Sequence, residues 1–385
     1  MSRNVHIFNI DHDLALASNL DNYVPAKVAI EMNDDLESLP IWWAENGDFV
    51  VCDKSAVDES LLRSLSVDVS LGMFDNLKLD DKDNVMVWGW NRTIAKKVSK
   101  LNRCVEVPNI DDVRFLSSRA RTIDILNAFV SENLYPKEML PRQLFSLSEV
   151  EAIVESKDIL LKAPFSGSGR GLWWALNGFD FNVQRWSNKV IREQSSVMAE
   201  KIWSKKSDYA AEFYSNGKDV SFVGYSCFLS DSAGVYRTNR LVSNSEIRKK
   251  IIDEIGSDVL DVYIRLLENL LTDMIAGKYK GYLGVDMLTA DYRGHIILNP
   301  CVEVNLRMTM GAVARIFYDR FVADDAVGDY SVINFRNHDD FTSHVNKMRD
   351  SYPLVIKENK IQQGYVLLSS VKKNTKHGVE VLLKA

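Results

Sequence analysis

Short apolar runs alternate with helical patterns over the first part of the chain. Residues 5–10, 48–52 and 84–91 have the length and composition of strands, whereas residues 14–17 and 92–101 have helical patterns. Strands separated by helical segments predict a small parallel sheet over residues 1–110.

The first of these strands ends in a polar loop, Asp11-His12-Asp13. Ligands of α/β units bind at the carboxyl ends of the strands, so Asn9, Asp11 and His12 are candidate substrate contacts. The alternative is that Asp11 or Asp13 caps the helix that follows.

The rest of the chain changes to longer strands and helices. Helical patterns cover residues 111–141, a capping-box signature at Ser148 and Glu151 predicts a helix start, and residues 247–275 have the pattern of one helix. Strands are predicted at residues 158–162, 196–200, 209–214, 220–229, 235–242, 364–369 and 378–383. The fold class is therefore α/β (α+β), with a parallel sheet first and antiparallel sheets after it.

The pattern is most regular near residues 281–311, which predict a β-hairpin continued by an alternating strand. Val302, Val304 and Leu306 point to one face of that strand, and Glu303, Asn305 and Arg307 point to the other. Carboxylate and amide oxygens suit Mg²⁺, and a guanidinium suits phosphate. A half-exposed strand with a solvated polar face is the alternative interpretation.

Asp286 lies on the other arm of this hairpin, on the same face as Glu303. A flat hairpin with its turn at Tyr292 and Arg293 would set Asp286 opposite Asn299, leaving Glu303 about 13 Å further along. A metal shared by Asp286 and Glu303 therefore requires a bulge or bend, which Pro300 favours.

A glycine-rich loop follows the strand that ends at Lys162. It contains Ser166, Gly167, Ser168, Gly169 and Gly171. The lysine precedes the glycines, unlike in a Walker A loop, and the spacing and following helix of a dinucleotide fingerprint are missing. The pattern favours a hairpin flap whose backbone N–H groups approach a triphosphate, with a Gly/Ser surface turn as the alternative.

Composition narrows the function classes. The 385 residues are 46% hydrophobic and 26% charged, as in globular proteins, and the net charge of −6 offers no footprint for nucleic acid. No apolar run approaches the ~18 residues of a membrane span, and the acidic N-terminal segment argues against a signal peptide. The four cysteines form no CxxC pair, which disfavours a disulfide framework or a zinc site. We expect a cytoplasmic protein.

The order of these motifs resembles the ATP-grasp superfamily of ATP-dependent carboxylate-amine ligases. The shared features are a strand ending in lysine, a Gly/Ser loop, a Glu-Lys-Ile segment, an aspartate and Glu-x-Asn-x-Arg. The resemblance covers residues 111–320, and residues 1–110 resemble the α/β domain that usually precedes this module. It implies lobes at 111–199 and 200–345, with a C-terminal strand pair at 346–385 packing on the module.

The resemblance also implies a role for each motif residue. Lys162 would contact the α- or β-phosphate, residues 166–171 would form the flap, and Arg307 would steady the transferring phosphoryl group. The remaining roles are adenine binding by Glu200, Lys201 and Ile202, ribose binding by Asp208, and Mg²⁺ binding by Asp286, Glu303 and Asn305. Arg119 stands where the family usually has a lysine near the nucleotide. Arg240 is a candidate for a substrate anion or a plain surface residue.

The activity implied by the family is ATP- and Mg²⁺-dependent ligation of a carboxylate to an amine through an acyl phosphate, releasing ADP and phosphate. A kinase of the same fold and a nucleotide-binding protein without catalysis are the alternatives. The expected partners are small-molecule or peptide carboxylates and amines, with no nucleic acid or membrane. The oligomeric state stays open, a homodimer included.

Overall fold

The computed structural model describes residues 3–167, 171–230 and 236–384. Its N-terminal sheet consists of parallel strands β1 (Asn4–Ile7), β2 (Phe49–Val51), β3 (Ser70–Gly72) and β4 (Asn84–Val87). These strands lie in the order β3, β2, β1, β4. The accompanying helices are α1 (His12–Ser18), α2 (Lys27–Leu36), α3 (Glu59–Ser64) and α4 (Arg92–Leu101). The predicted parallel sheet is confirmed.

A second sheet is antiparallel and carries the glycine-rich loop. Its strands are β5 (Arg142–Leu144), β6 (Ile159–Lys162), β7 (Leu172–Ala175) and β8 (Val197–Lys201), in the order β5, β8, β6, β7. The helices α7 (Leu147–Val154) and α8 (Phe181–Gln194) pack with this sheet. The helices that precede it, α5 (Ile110–Leu116) and α6 (Arg121–Ser131), belong to the core of the large sheet instead. Val150, Leu161 and Val197 belong to a separate hydrophobic cluster within this lobe. The glycine-rich loop joins β6 to β7, which pair as a hairpin.

The largest sheet contains the candidate metal-binding strands. Its strands are β9 (Ser204–Ser215), β10 (Val220–Ser230), β11 (Tyr236–Leu241), β12 (Gly281–Tyr292), β13 (His295–Asn305), β14 (Val327–Asn334), β15 (Val355–Lys357), β16 (Lys360–Leu367) and β17 (His377–Lys384). They lie in the order β13, β12, β9, β10, β11, β14, β17, β16, β15 within the described part of the chain. The two predicted terminal strands thus join this sheet through the pairing of β17 with β14.

Helices cover this sheet and close the core. They are α9 (Asn244–Ile255), α10 (Leu260–Ile275), α11 (Met310–Phe321) and α12 (His338–Ser351). The prediction of one helix over residues 247–275 was wrong, because Gly256 adopts a left-handed conformation (φ 67°) that ends α9. No helix in the described ranges is long and apolar enough to cross a membrane.

The N-terminal sheet packs against the large sheet through α11. The Trp42 ring lies 5.4 Å from Phe317 and 5.6 Å from Phe321, centroid to centroid, both in edge-on geometry. The backbone N–H of Met308 donates to the carbonyl of Trp88 at 2.8 Å. The loops at the end of the parallel sheet are thereby fixed beside the segment that follows β13.

The start of α7 differs from the sequence prediction. The capping box is formed by Ser146 and Glu149, not by Ser148 and Glu151. The Glu149 backbone N–H donates to Ser146 Oγ at 3.3 Å, and the Ser146 backbone N–H donates to Glu149 Oε2 at 3.2 Å. The helix therefore begins two residues earlier than predicted. The sequence did not distinguish the two starts, because both serine-glutamate pairs have the same spacing.

Replacing the true N-cap serine should destabilise the protein, whereas replacing its neighbour should not. We expect Ser146→Ala to lower the free energy of unfolding by about 1 kcal/mol, because the Glu149 backbone N–H loses the side-chain oxygen that caps it. Ser148→Ala is the matched control and should stay within about 0.5 kcal/mol of the wild type. Urea unfolding followed by circular dichroism measures both, and equal losses would contradict the assigned cap.

Candidate functional site

A β-bulge decides the geometry of the candidate metal site. Asp286 on β12 pairs with Glu303 on β13, whereas Leu288 pairs with Asn299. Met287 therefore stands opposite residues 300–302, and two extra residues are accommodated in β13. The expected bend at Pro300 is confirmed.

The turn of this hairpin lies one residue further along than predicted. Tyr292 pairs with His295, so the two turn residues are Arg293 and Gly294, with φ of 56° and 85°. Two consecutive positive φ angles are those of a type I′ turn, which matches the twist of the paired strands. Within the bulge, the Cys301 backbone N–H donates to the Asn299 side-chain oxygen at 3.1 Å. This local hydrogen bond satisfies one of the donors that the bulge removes from the ladder.

The strand register brings the candidate ligands onto one face of the sheet. Gly284 pairs with Asn305, two residues from the pair formed by Asp286 and Glu303. Directly opposed residues share a face, and so do residues two apart on one strand. Asp286, Glu303 and Asn305 therefore lie together: alternation predicted their shared face, and the bulge brings Asp286 level with Glu303.

Glu212 is a further carboxylate on this face, which the sequence analysis missed. It pairs with Gly284 on β12 and is only 1% exposed. Its carboxylate accepts hydrogen bonds from Thr309 Oγ1 at 2.8 Å and Ser226 Oγ at 3.0 Å. The available signal was one charged residue within the apolar strand at residues 209–214.

Glycines make the space that Glu212 occupies. A Cβ on Gly284 would lie 2.8 Å from Glu212 Oε2, and a Cβ on Gly311 would overlap Oε1. Both positions are tighter than side chains tolerate, so any larger residue would displace the carboxylate. The two glycines and the two hydroxyl donors together hold Glu212 in one orientation.

Burial and mutual repulsion perturb these carboxyl groups. Burial raises the pKa of Glu212 to about 7, against the opposing effect of its hydrogen bonds from Thr309 and Ser226. Burial also raises the pKa of Asp286 to about 8, and the negative charges of Glu303 and Glu212 add to that increase. A cation placed among these groups would favour their charged forms.

The oxygen donors present fit a hard cation such as Mg²⁺, with one restriction. No group of three His, Cys, Asp or Glu side chains in the described part of the chain converges into a metal site. A cation here would therefore be held by two carboxylates, Asp286 and Glu303, and by the amide oxygen of Asn305. That mixed oxygen set is compatible with Mg²⁺, which keeps several waters and binds one or two protein carboxylates.

Arg119 connects the flap to the candidate metal ligands. Its Nη1 donates to Ser166 Oγ and to the Ala163 carbonyl, both at 2.6 Å. Its Nη2 donates to the Ser166 carbonyl at 2.9 Å and to Glu303 Oε2 at 2.8 Å. The guanidinium is 5% exposed, so this single group fixes the first residues of the flap relative to β13.

Lys162 also lies at the base of the flap and is paired. Its Nζ lies 2.7 Å from Glu200 Oε2, with both side chains nearly buried. Gly171 closes the hairpin, where a Cβ would overlap the Ser166 side chain. Ser168 and Gly169, which the sequence analysis assigned to the flap, lie outside the described residues.

The residues predicted to bind adenine and ribose lie on β8, which pairs with β6, and in the segment after it. Lys201 ends β8, Ile202 lies in the link to β9, and Asp208 is part of β9. The Asp208 carboxylate accepts a hydrogen bond from Lys205 Nζ at 2.6 Å. The Glu200 carboxylate is already engaged, because it forms an ion pair with Lys162.

Arg307 is held by Asp13 from the N-terminal part of the chain. Its Nε donates to Asp13 Oδ1 at 3.1 Å and its Nη2 donates to Asp13 Oδ2 at 3.0 Å, a two-pronged ion pair. Nη2 also donates to Asn305 Oδ1 at 3.0 Å. A Cβ on Gly167 would overlap Asp13, so α1, the flap and β13 meet at this carboxylate.

The proposed capping role of the first polar loop does not hold. Asp11 occupies the N-cap position of α1 without a side-chain hydrogen bond, and Asp13 is committed to Arg307. Asn9 exchanges hydrogen bonds with the backbone of Gly89, at 2.8 and 3.2 Å, and so joins the ends of β1 and β4. His12 is 1% exposed, and burial lowers its pKa to about 4.

Arg240 lies apart from this group. It forms an ion pair with Asp329 at 3.0 Å, with both side chains partly exposed. Phe228 pairs with Asn239, so Asn239 shares the face of Glu212 and Arg240 lies on the opposite face. The surface interpretation of Arg240 is the one that this register favours.

Comparison with known proteins was made for sequence and structure. No family model matches the sequence. No curated protein matches it either. Solved structures do match, at low sequence identity and over nearly the whole chain.

One match is N5-carboxyaminoimidazole synthase from Aspergillus clavatus, with ADP and 5-aminoimidazole ribonucleotide: TM-score 0.51, 13% identity, 100% of this chain and 94% of that chain. Another is biotin carboxylase from Campylobacter jejuni, with a TM-score of 0.53 and 11% identity; the match covers 100% of this chain and 88% of that chain. The biotin carboxylase domain dimer from Hydrogenobacter thermophilus, with MgADP and bicarbonate, matches with a TM-score of 0.52 and 10% identity. That match covers 100% of this chain and 86% of the other.

The chain has the ATP-grasp fold. Identities of 10 to 13% establish the fold and leave the reaction to be argued from the residues of this chain. In this ATP-grasp fold, Asp286, Glu303 and Asn305 lie on the large sheet, below the flap and beside α1.

The raised pKa of Glu212 predicts a pH effect on stability. The folded chain keeps this proton up to about pH 7, whereas an unfolded carboxyl group releases it near 4.5. Between those values the folded state binds more protons, so this group lowers the free energy of unfolding as pH rises. Between pH 6.5 and pH 8 this group should lower the free energy of unfolding of the wild type by about 1 kcal/mol. Glu212→Gln should not show this part of the decrease.

Urea unfolding at both pH values measures the difference between wild type and variant. Glu151→Gln removes an exposed carboxyl group from α7 and serves as the control, with the pH dependence of the wild type. Identical pH dependence in wild type and Glu212→Gln would show that Glu212 is ionised in the folded protein at pH 6.5.

Proposed function

We propose that this protein is an ATP- and Mg²⁺-dependent ligase that joins a carboxylate to an amine through an acyl phosphate. The observation that carries the proposal is the bulge at residues 300–302, which sets Asp286 opposite Glu303 with Asn305 beside them. A strand with only a solvated polar face has no need of a two-residue bulge that gathers oxygen donors on a half-buried face. The ligases and carboxylases among the structural neighbours support the same reaction class.

The nucleotide would lie between the flap and the large sheet. We assign the adenine to the β8–β9 link, with Glu200, Lys201 and Ile202, and the ribose to Asp208. The phosphates would extend toward Lys162, Arg119 and the flap residues 166–171. MgADP and ADP in the neighbouring structures support a nucleotide in this fold.

Each cation of the site is paired with a carboxylate in the structure, and we propose that phosphate oxygens take over these partners. Lys162 is paired with Glu200, Arg119 with Glu303, and Arg307 with Asp13. A phosphate oxygen accepts the same charge-assisted hydrogen bonds as a carboxylate oxygen. Exchange of partners would keep the buried cations neutralised while releasing Glu303 as a metal ligand.

Mg²⁺ bound by Asp286, Glu303 and Asn305 would supply positive charge between the β- and γ-phosphates. Burial and repulsion raise the pKa of Asp286, so the cation would also displace a proton from this group. Glu212 would support the site from behind, because its hydrogen bond from Thr309 fixes the start of α11, three residues after Asn305-Leu306-Arg307.

The reaction would proceed in two transfers. A carboxylate oxygen of the first substrate attacks the γ-phosphorus, the bond to the β–γ bridging oxygen breaks, and ADP leaves with that electron pair. The amine then attacks the acyl carbon and loses a proton, and phosphate leaves. Arg307 would stabilise the charge on the transferring phosphoryl group and Lys162 that on the α- or β-phosphate. Neither step requires a covalent enzyme nucleophile.

The proposed organisation follows the same scheme. Residues 1–110 would contribute the acceptor side of the site through α1, residues 111–199 the flap lobe, residues 200–345 the metal-binding lobe, and residues 346–385 a terminal pair of strands. The substrates would be small-molecule or peptide carboxylates and amines. A homodimer is one assembly to test, since the matching Hydrogenobacter thermophilus domain is a dimer.

Nucleotide binding should depend on Mg²⁺ and on Glu303. A non-hydrolysable ATP analogue at 100 times its Kd should raise the free energy of unfolding by about 2.7 kcal/mol in the presence of Mg²⁺. In Glu303→Gln the Mg²⁺-dependent part of this stabilisation should be lost, because a metal ligand and its charge are removed. Thermal unfolding with and without Mg²⁺ measures both proteins.

The control for this experiment is Glu151→Gln, which should respond to nucleotide and Mg²⁺ as the wild type does. An unchanged melting temperature at saturating nucleotide would refute a working ATP site. A shift that is equal in wild type and Glu303→Gln would refute the assigned metal ligands alone.

Lys162 should contribute to nucleotide affinity rather than to the fold alone. We expect Lys162→Met to weaken binding of the ATP analogue at least about tenfold, since a charge-assisted phosphate contact is lost. Lys157→Met removes an exposed lysine shortly before the same strand and should leave the affinity unchanged. Calorimetric titration of each variant, after its circular dichroism spectrum has been matched to wild type, gives the Kd. Equal affinities in the two variants would remove Lys162 from the site.

Product analysis separates ligase from kinase. A ligase releases ADP and free phosphate only when acid and amine are both present. ADP formation with a single substrate and no free phosphate would favour the kinase alternative.

A further inference from the structure

A second cavity lies away from the candidate ATP site, where the N-terminal sheet meets the end of the large sheet. Its walls come from the short helix Leu39–Trp42, from α3, from α12 and from the segment that follows β16. Its volume is about 270 Å³. This is close to the lower end, about 300 Å³, of small-molecule sites in proteins.

One side of this cavity is apolar. Trp42 and Leu61 line it from the N-terminal part, and Val345 and Leu367 line it from α12 and β16. Trp42, Val345 and Leu367 are each less than 10% exposed, so they belong to packed walls. An apolar side chain of a ligand would be stabilised by burial against them.

The opposite charges of the cavity are Arg349 and Asp58. Arg349 lies in the last turn of α12, and Asp58 is the N-cap of α3. Among the described residues, no ion pair within 4 Å and no hydrogen bond involves the Arg349 guanidinium. Its charge nevertheless acts on Asp58: burial raises the pKa of Asp58, but hydrogen bonds from Ser60 and Leu61 and the charge of Arg349 outweigh burial and lower it.

The two exposed charges therefore line one cavity and form no ion pair with each other within 4 Å. Asp58 Oδ1 accepts the capping hydrogen bonds of α3, and Oδ2 has no such commitment among the described residues. A ligand that carries both a positive and a negative group could bridge them. Its carboxylate would match the guanidinium, and its ammonium would match the carboxylate.

Ser370 adds an unsatisfied polar group at the same place. The residue lines the cavity and is 4% exposed, and its Oγ has no hydrogen-bond partner among the described residues. Its backbone N–H is already used, donating to Ser38 Oγ at 2.9 Å. Buried hydroxyl groups normally have a partner, so this hydroxyl leaves hydrogen-bonding capacity unused in the cavity wall.

We propose that this cavity is a binding site for a free amino acid with an apolar side chain. The ligand carboxylate contacts Arg349, its ammonium contacts Asp58, and its side chain packs against Trp42 and Leu61. The charge complementarity selects a zwitterion, and the apolar walls select the side chain. The site shares no lining residue with the cleft formed by Asp13, Glu303 and Asn305.

Calorimetric titration of the full chain without nucleotide tests the proposal. The probes are L-leucine, L-phenylalanine and L-tryptophan, compared with glycine, N-acetyl-L-leucine and L-leucinamide. At least one apolar amino acid should bind with one-site stoichiometry, and the three comparison compounds should bind at least about tenfold more weakly. Because no ATP is present, the outcome is independent of the proposed ligase activity.

Two variants locate the binding site. Arg349→Gln and Asp58→Asn should each weaken binding at least about tenfold, and Asn at position 58 preserves the N-cap of α3. Lys347→Gln removes a charge from the same helix outside the cavity and should bind as the wild type does. The proposal is overturned by the absence of saturable binding up to about 10 mM ligand. Equal binding by N-acetyl-L-leucine, or equal affinities in Arg349→Gln and Lys347→Gln, would overturn it as well.

Discussion

The candidate site depends on the register between β12 and β13. A regular ladder continued from the pair Leu288 and Asn299 would set Asp286 opposite Cys301, with Glu303 one repeat beyond. The two extra residues at the bulge move Glu303 back to Asp286 and bring Asn305 level with Gly284. Bulges re-aim side chains at functional sites in many sheets. Here the consequence is a compact set of oxygen donors on a half-buried face.

Charge balance is the second constraint on this region. Five carboxylates, Asp13, Glu200, Glu212, Asp286 and Glu303, lie near three cations, Arg119, Lys162 and Arg307. Each cation has one of these carboxylates as its partner in the structure. Unpaired charges in such surroundings would be costly, so the pairs stabilise the fold around the cleft. The same groups are those that phosphates and a divalent cation would engage. In the proposed function, ligand binding would therefore exchange the partners of these charges instead of creating new buried charges.

The N-terminal sheet is part of this arrangement. Trp42 packs on α11, which begins directly after the site strand, and Asp13 extends from α1 to Arg307. The parallel sheet, the flap and the large sheet thus meet around a few polar side chains. Trp42 also lines the second cavity, together with residues of α3, α12 and the segment after β16.

The local sequence pattern determined the direction of several side chains of the candidate site and the position of the flap. Alternation alone assigned Glu303, Asn305 and Arg307 to one face, and the strand before the glycines predicted Lys162 at the base of a flap, because side-chain direction and turn chemistry depend on neighbouring residues. Only the tertiary structure decided the size of the bulge, the burial of Glu212 under two glycines, and the pairing of Asp13 with Arg307 across 294 residues of sequence. Those features arise from contacts between segments far apart in the chain, which no local periodicity encodes.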